Sequence, residues 1–292
     1  MFFIDAHCHI NSEQLRKDAP GVVRRAVDAG VKRLLVAGCD AADSAEAVEL
    51  THTYENEGVY AAVGVHPHEA KSLVPAASES ASPTGAALPE ELLKLADDPR
   101  AAAIGETGLD YYYDHSPRSV QRDAFRLHIA WAERTRKPLV IHVRDALPDH
   151  GAAGHAAKNA AMEDALSLLR EAEGRHFPLL FHCYAGGLEY LDAIKELDAY
   201  ISIGGPVTWP KNKELREAAS RIPEERLLCE TDAPWLTPQA CRGKLNEPAY
   251  VRFVYEAIAE LRGLSADELA RVLDANAARL FGWGALYGES DV

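Results

Sequence analysis

The feature that most constrains this chain is a repeated alternation of short apolar runs with helical stretches. Eight runs stand out: Phe2–His7, Arg33–Ala37, Val59–Val65, Ala102–Glu106, Pro138–His142, Leu179–His182, Tyr200–Ile203 and Arg226–Glu230. Each is rich in Val, Ile, Leu or Ala and apolar on both faces, as a parallel strand covered on both sides should be. Helical periodicity fills the gaps, most clearly over Ser44–Glu57, Arg118–Arg136, Met162–Glu173, Glu247–Arg262 and Ser265–Asp274. Eight such strands within 292 residues fit an α/β fold of one kind, a single TIM-type (β/α)8 barrel. An open doubly wound sheet would want a Gly-rich phosphate loop after a strand, and neither GxGxxG nor GxxxxGK[ST] occurs. We therefore expect one barrel domain over residues 1–292, with its active site at the C-terminal ends of the strands.

Two segments break the rhythm. Residues 75–89 (PAASESASPTGAALP) form a low-complexity tract, and residues 148–161 (PDHGAAGHAAKNAA) are rich in Gly and Ala. Both follow a strand and should leave from the C-terminal face, as flexible insertions that are either tolerated surface loops or lids over the active site.

Composition narrows the class. With 31 Lys+Arg against 45 Asp+Glu the formal net charge is −14, which argues against a protein that coats nucleic acid through a basic surface. The five cysteines form no CxxC pair, so neither a disulfide framework nor an oxidising compartment is implied. No apolar run approaches the roughly 20 residues that span a bilayer. The N-terminal MFFIDAHCHI lacks the basic-then-apolar pattern of an export signal. A cytoplasmic protein with no membrane contact and no obligate protein partner is the expectation.

The chemistry gathers at the strand ends. His7 and His9 lie two apart on the first strand, so both imidazoles point to one face and can share a metal ion. A lone HxH says little. Here Glu106 ends AAAIGE, His142 ends PLVIH, His182 ends LLFH, and Asp232 follows RLLCE. Taken singly, each would more often cap a helix or satisfy a loop amide than bind metal. Their convergence on the face where barrels build active sites points to a metal centre.

Six ligands exceed what one tetrahedral zinc with an open position takes, and they suit two ions bridged by a carboxylate about 3.5–4 Å apart. Glu106 is the natural bridge, midway in strand order, and Asp232 can also accept a proton from the attacking water. The all-N/O donor set leaves Mg²⁺, Mn²⁺ or Zn²⁺. Cys8 and Cys183 adjoin ligands and should therefore point the opposite way, into the strand–helix layer, as small apolar residues.

Further polar groups accompany these ends. His66, a better substrate-binding candidate than His68, lies nearer the third strand's end, while Arg144 and Arg242 offer planar forks suited to phosphate or sit as solvated loop charges. His52, His115, His128 and His176 are expected away from the metals. Tyr111-Tyr112-Tyr113 either packs its loop or stacks on bases, the former being preferred.

The motifs DAHCHI, GVHPH, AIGETGLDYYY, KPLVIHVRDA, FHCYAGG, ETDAPWLTP and RGKLNEP resemble those of the TatD family of metal-dependent deoxyribonucleases, and the likeness runs to NAARLFG near the C-terminus. The resemblance implies a TIM-type barrel whose two divalent ions are held by His7, His9, Glu106, His142, His182 and Asp232. It also implies hydrolysis of phosphodiester bonds in DNA, as a 3′–5′ exonuclease or end-processing enzyme using a water activated by two metals. FHCYAGG departs from the family pattern in which Phe and Ser follow the Cys, and both insertions depart from a compact member; neither removes a ligand. An amidohydrolase acting on amide, lactone or aminoacyl-ester bonds is the alternative, although many of those bridge their metals with a modified Lys where this chain has Glu. Two divalent ions would more than offset Glu106 and Asp232, so a surface with a net charge of −14 can still attract phosphate into one pocket. The expected partner is accordingly a DNA strand end or a small phosphodiester, bound with a shallow salt dependence.

Overall fold

The computed structural model describes residues 1–74, 86–146, 160–172 and 174–287. One sheet of eight parallel strands runs in sequence order. Its members are β1 (Phe3–Cys8), β2 (Val31–Ala37), β3 (Val59–Val63), β4 (Ala101–Asp110), β5 (Leu139–Arg144), β6 (Leu179–Phe181), β7 (Tyr200–Ile203) and β8 (Leu227–Cys229). Helices alternate with them: α1 (Ala19–Asp28), α2 (Ala41–Thr53), α3 (Glu90–Leu95), α4 (Arg118–Thr135), α5 (Ala160–Glu171), α6 (Leu191–Glu196), α7 (Lys213–Arg221), α8 (Val251–Arg262) and α9 (Ala266–Phe281). This is the TIM-type barrel that the alternation predicts. Among the described residues no helix is long and apolar enough to cross a membrane.

All eight apolar runs are strands, but their ends move. β4 continues four residues past Glu106 to Asp110, and β5 continues past His142 to Arg144. The reason lies in the GETG stretch. Gly105 and Gly108 carry φ of +131° and +143°, and a Cβ on Gly108 would collide with the His142 carbonyl. Only glycine allows that backbone and that close approach, so β4 stays paired with β5 on either side of Glu106. Four helices that the periodicity leaves unmarked, α1, α3, α6 and α7, are short (6 to 10 residues), which gives a helical period little room to register. α9 runs seven residues beyond Asp274; it opens on a Ser265–Glu268 capping box and stops at Gly282 with φ +70°.

The barrel closes without a regular ladder between β8 and β1. Side chain and backbone bond the last strand to the first: the Thr231 N–H and Oγ1 donate to the Asp5 carboxyl at 2.8 and 2.6 Å. Just beyond, the Asp232 N–H donates to the His7 carbonyl at 3.0 Å and the His9 N–H donates to the Ala233 carbonyl at 2.7 Å. Full burial pushes the Asp5 carboxyl up to about 8, although the Thr231 donors oppose the shift. Closure of the fold and delivery of His7, His9 and Asp232 to one place are thus the same set of bonds.

Most of the two expected insertions, residues 75–85 and 148–159, lies outside the described residues. Where the second rejoins the described chain, the Ala161 N–H donates to the Asp145 carboxylate at 2.7 Å, which fixes the start of α5.

Candidate metal centre

The six strand-end residues meet at the mouth of the barrel. His7 Nε2 and His9 Nε2 lie 3.0 Å apart, aimed at the same space. Both face one oxygen of Glu106: Oε2 is 3.2 Å from His7 Nε2 and 3.3 Å from His9 Nε2. Asp232 Oδ1 approaches the pair at 4.0 and 3.6 Å. The other Glu106 oxygen serves a second group. Oε1 lies 2.9 Å from His182 Nε2, 3.0 Å from His142 Nδ1 and 3.3 Å from His66 Nε2. One buried carboxylate therefore stands between two sets of imidazole nitrogens.

These residues fit a bound cation on their own chemistry. Glu106 Oε2, which faces His7 Nε2 and His9 Nε2, is buried without a hydrogen-bond partner, a cost that a cation between them would remove. Triads such as His7–His9–Asp232 and His66–Glu106–His142 place their donor atoms within 4.8 Å of one another. The electrostatics are complementary. Burial pushes the Glu106 carboxyl up, but His182, His66 and His7 outweigh it and hold the pKa below the carboxylate range. Burial likewise opposes a proton on His182, yet Glu106 and Glu230 raise its pKa to about 10. His66 is lowered to about 4 by burial, with Glu106 opposing, and is neutral at physiological pH.

Four residues missed in sequence support this centre. Asp110 Oδ2 accepts from His68 Nε2 at 2.9 Å and lies 3.3 Å from His142 Nε2, so it orients the face of His142 turned away from Glu106. Burial would raise the Asp110 pKa, but its bonds to His142 and His68 lower it well beneath the carboxylate range. Its place four residues after Glu106 on the same strand was the available signal, since residues two and four apart share a face. Gln121 of α4 pins Asp110 in turn, accepting from its N–H at 2.8 Å and donating to its carbonyl at 3.1 Å. Glu230 is buried 3.7 Å from His182 Nδ1 and accepts from Ser202 Oγ. Cys39, after β2, sets its sulfur 3.8 Å from His9 Nδ1, while burial pushes its thiol up to about 11.

Other expectations fare differently. Cys8 is buried with its thiol donating to the Leu35 carbonyl, as expected of a residue in the outer layer. Cys183 is a correction: its φ of +46° turns the side chain toward the centre, where its thiol meets Asp232, and burial raises its pKa well above the ordinary range. Alternation fails there because β6 has ended at Phe181. His66 stands beside Glu106, and His68 is linked through Asp110 to His142. His115 lies nearer than expected, with its ring 4.6 Å from that of His68. His52, His128 and His176 pair elsewhere, with Asp98, the Ala124 carbonyl and Glu133. The Arg144 guanidinium lies over Tyr112 and Tyr113 at 4.5 and 4.8 Å, and no carboxylate among the described residues pairs with it. Arg242 is exposed on the loop after β8 and, among the described residues, has no bond to the cluster. The tyrosines divide: Tyr111 is buried and donates to Asp164 at 2.6 Å, whereas Tyr113 is exposed.

Residues 4–282 match the family described as TatD related DNase. The chain belongs to that family. A Bacillus subtilis relative described as the uncharacterized metal-dependent hydrolase YabD is 36% identical over 280 residues, covering 95% of this chain and 98% of the relative. The Salmonella typhimurium protein named 3′-5′ ssDNA/RNA exonuclease TatD is 33% identical over 282 residues, covering 95% and 98%. The crystal structure of YJJV, a TatD homolog from Escherichia coli, superposes with a TM-score of 0.78 at 26% identity, covering 97% of this chain and 98% of that one. This TatD-family chain is a metal-dependent hydrolase.

Proposed function

We propose that the protein hydrolyses phosphodiester bonds at the ends of unpaired nucleic acid strands, with two divalent ions held by His7, His9, Glu106, His142, His182 and Asp232. The observation that carries this reading is the division of Glu106, whose Oε2 faces His7 and His9 while Oε1 faces His142, His182 and His66. A carboxylate so placed can bridge two ions, and a bridged pair suits in-line displacement at a phosphate. When bound, such ions supply Lewis acidity and lower the pKa of water from about 15.7 toward roughly 7.

The chain's own groups do the rest. Asp232 is the proton acceptor: burial works against its charge, but His9, His182 and His7 lower its pKa, so Oδ1 is ionised at neutral pH. His66 is neutral and its Nδ1 accepts from the His68 N–H, so its one ring N–H lies on Nε2, beside Glu106 Oε1, and reaches a substrate oxygen only by leaving that carboxylate. Arg144 and Arg242 are the cations available to phosphates beyond the scissile one. Attraction is focused on the mouth of an otherwise acidic molecule, which favours a strand end over a long duplex. The naming of a relative as a single-strand exonuclease supports the same substrate class.

The test is a screen of protein loaded separately with Mg²⁺, Mn²⁺ or Zn²⁺ against end-labelled single-stranded DNA, RNA and duplex, alongside amides and lactones. Stepwise shortening of single strands from the 3′ end, abolished by chelation, is the expected result. Turnover of amides or lactones with no cleavage of any nucleic acid would replace this reading with an amidohydrolase one.

A further inference from the structure

Five large apolar side chains are exposed among the described residues: Met1, Phe2, Tyr113, Trp235 and Leu245. Isolated exposed apolar residues need no explanation, but their distribution here is uneven. Two belong to the N-terminal segment, and three to the loops that follow β4 and β8, at the barrel end that carries the candidate metal centre. Trp235 is the nearest of these to the centre. It is three residues past Asp232, 47% exposed, and its ring lies 5.1 Å from that of His9 at an interplanar angle of 67°. A single ring contact of this kind can cover no more than one face of the indole, and the residue stays 47% exposed.

The loop displays Trp235 firmly. Its N–H donates to the Asp232 carbonyl at 3.0 Å, and its carbonyl accepts from Asn246 Nδ2 at 2.5 Å. Asn246, fully buried, also donates to the Thr231 carbonyl at 2.8 Å. Asp232 and Leu236 both take positive φ, +54° and +56°, a conformation that costs side-chain-bearing residues energy. The chain thus turns Asp232 inward while holding an indole out to solvent beside the same histidine. Burying that indole would be the favourable default, so its exposure on a pinned loop calls for a ligand.

We propose that Trp235 stacks on the nucleobase of the nucleotide whose phosphodiester lies at the metal centre. This rests on the nuclease reading and adds to it a residue that selects for a base. A flat, unpaired base matches an indole face at that distance, whereas a paired base inside a duplex presents no free face. Stacking tolerates all four bases, so Trp235 favours unpaired ends without imposing sequence.

The test compares wild-type protein, W235A and W235F, each with metal, on two single-stranded oligonucleotides. They differ only at the terminal nucleotide of the cleaved end, which carries a base in one and is an abasic tetrahydrofuran in the other. W235A should lower kcat/KM on the base-bearing end by about tenfold, mainly through KM, and alter the abasic end by less than about twofold. W235F should restore most of the difference. Equal losses on both substrates would assign Trp235 a purely structural role, and an unchanged W235A would remove it from substrate binding; either overturns the proposal. If the wild type cleaves neither oligonucleotide, the nuclease reading itself fails. An active wild type beside an indifferent W235A defeats the stacking proposal alone.

Discussion

The two sides of the candidate centre are built by different means. On the β1/β8 side, His7, His9 and Asp232 are placed by backbone. His7 lies on β1 and His9 just past its end, and both are tied to the Asp232 loop by the Asp232–His7 and His9–Ala233 main-chain bonds that close the barrel. On the β4–β6 side, His142 and His182 come from separate strands and are set by side chains: Asp110 behind His142, with Glu230 beside His182. Glu106 joins the sides, one oxygen to each. A site placed by backbone should resist substitution of its neighbours, and a site placed by side chains should not.

The largest effect should come from removing the residue common to both sides. Glu106→Ala is expected to release metal from the whole centre and lower kcat on the order of a thousandfold, with the fold retained by circular dichroism. Full metal content with retained turnover would show that Glu106 bridges nothing.

A smaller and one-sided effect is expected of Asp110→Asn, which keeps the shape but weakens the hold on His142. Metal titration should show one of two sites weakened about 10- to 100-fold, the range typical of residues that orient a ligand, and the other unchanged. Equal weakening of both sites would erase the distinction between the two sides.

The smallest effect concerns the scaffold. His128 of α4 is buried and neutral, with Nε2 accepting from the Val65 N–H at 3.0 Å and Nδ1 donating to the Ala124 carbonyl at 2.7 Å. Burial lowers its pKa to about 4 against an ordinary 6.5, with the Ala124 bond opposing. The unfolded chain therefore takes up this proton first as pH falls. The stability His128 lends is complete above about 6.5 and declines as pH drops toward 4. His128→Gln should lower Tm by a few degrees at pH 8 and by less at pH 5. A loss that grows toward acid would contradict the neutral assignment.

Much of this was legible in the sequence, for physical reasons. A parallel strand covered on both faces has to be an apolar run, so eight strands show as eight runs, and polar residues at their ends stand out against that background. His7, His9, Glu106, His142, His182 and Asp232 could be picked out for that reason, and the structure brings them together. Asp110, Glu230 and Cys183 were not found. Glu230 closes an apolar run but stands two residues before Asp232, which takes the place of the ligand there, and Asp110 lies past the expected end of its strand at Glu106. Cys183 was misassigned because strand alternation does not continue through a residue with φ of +46°.

The sequence by itself determined the barrel, its family and the candidate ligands, because periodicity and strand-end chemistry are local properties of the chain. The tertiary structure alone decided how the ligands divide between the two oxygens of Glu106, and which carboxylate stands behind which histidine. It also decided that Trp235 is held outward beside His9. Those relations depend on strand stagger and ring closure, which bring together residues more than two hundred positions apart, as in the bond from Thr231 to Asp5. No local pattern encodes that distance.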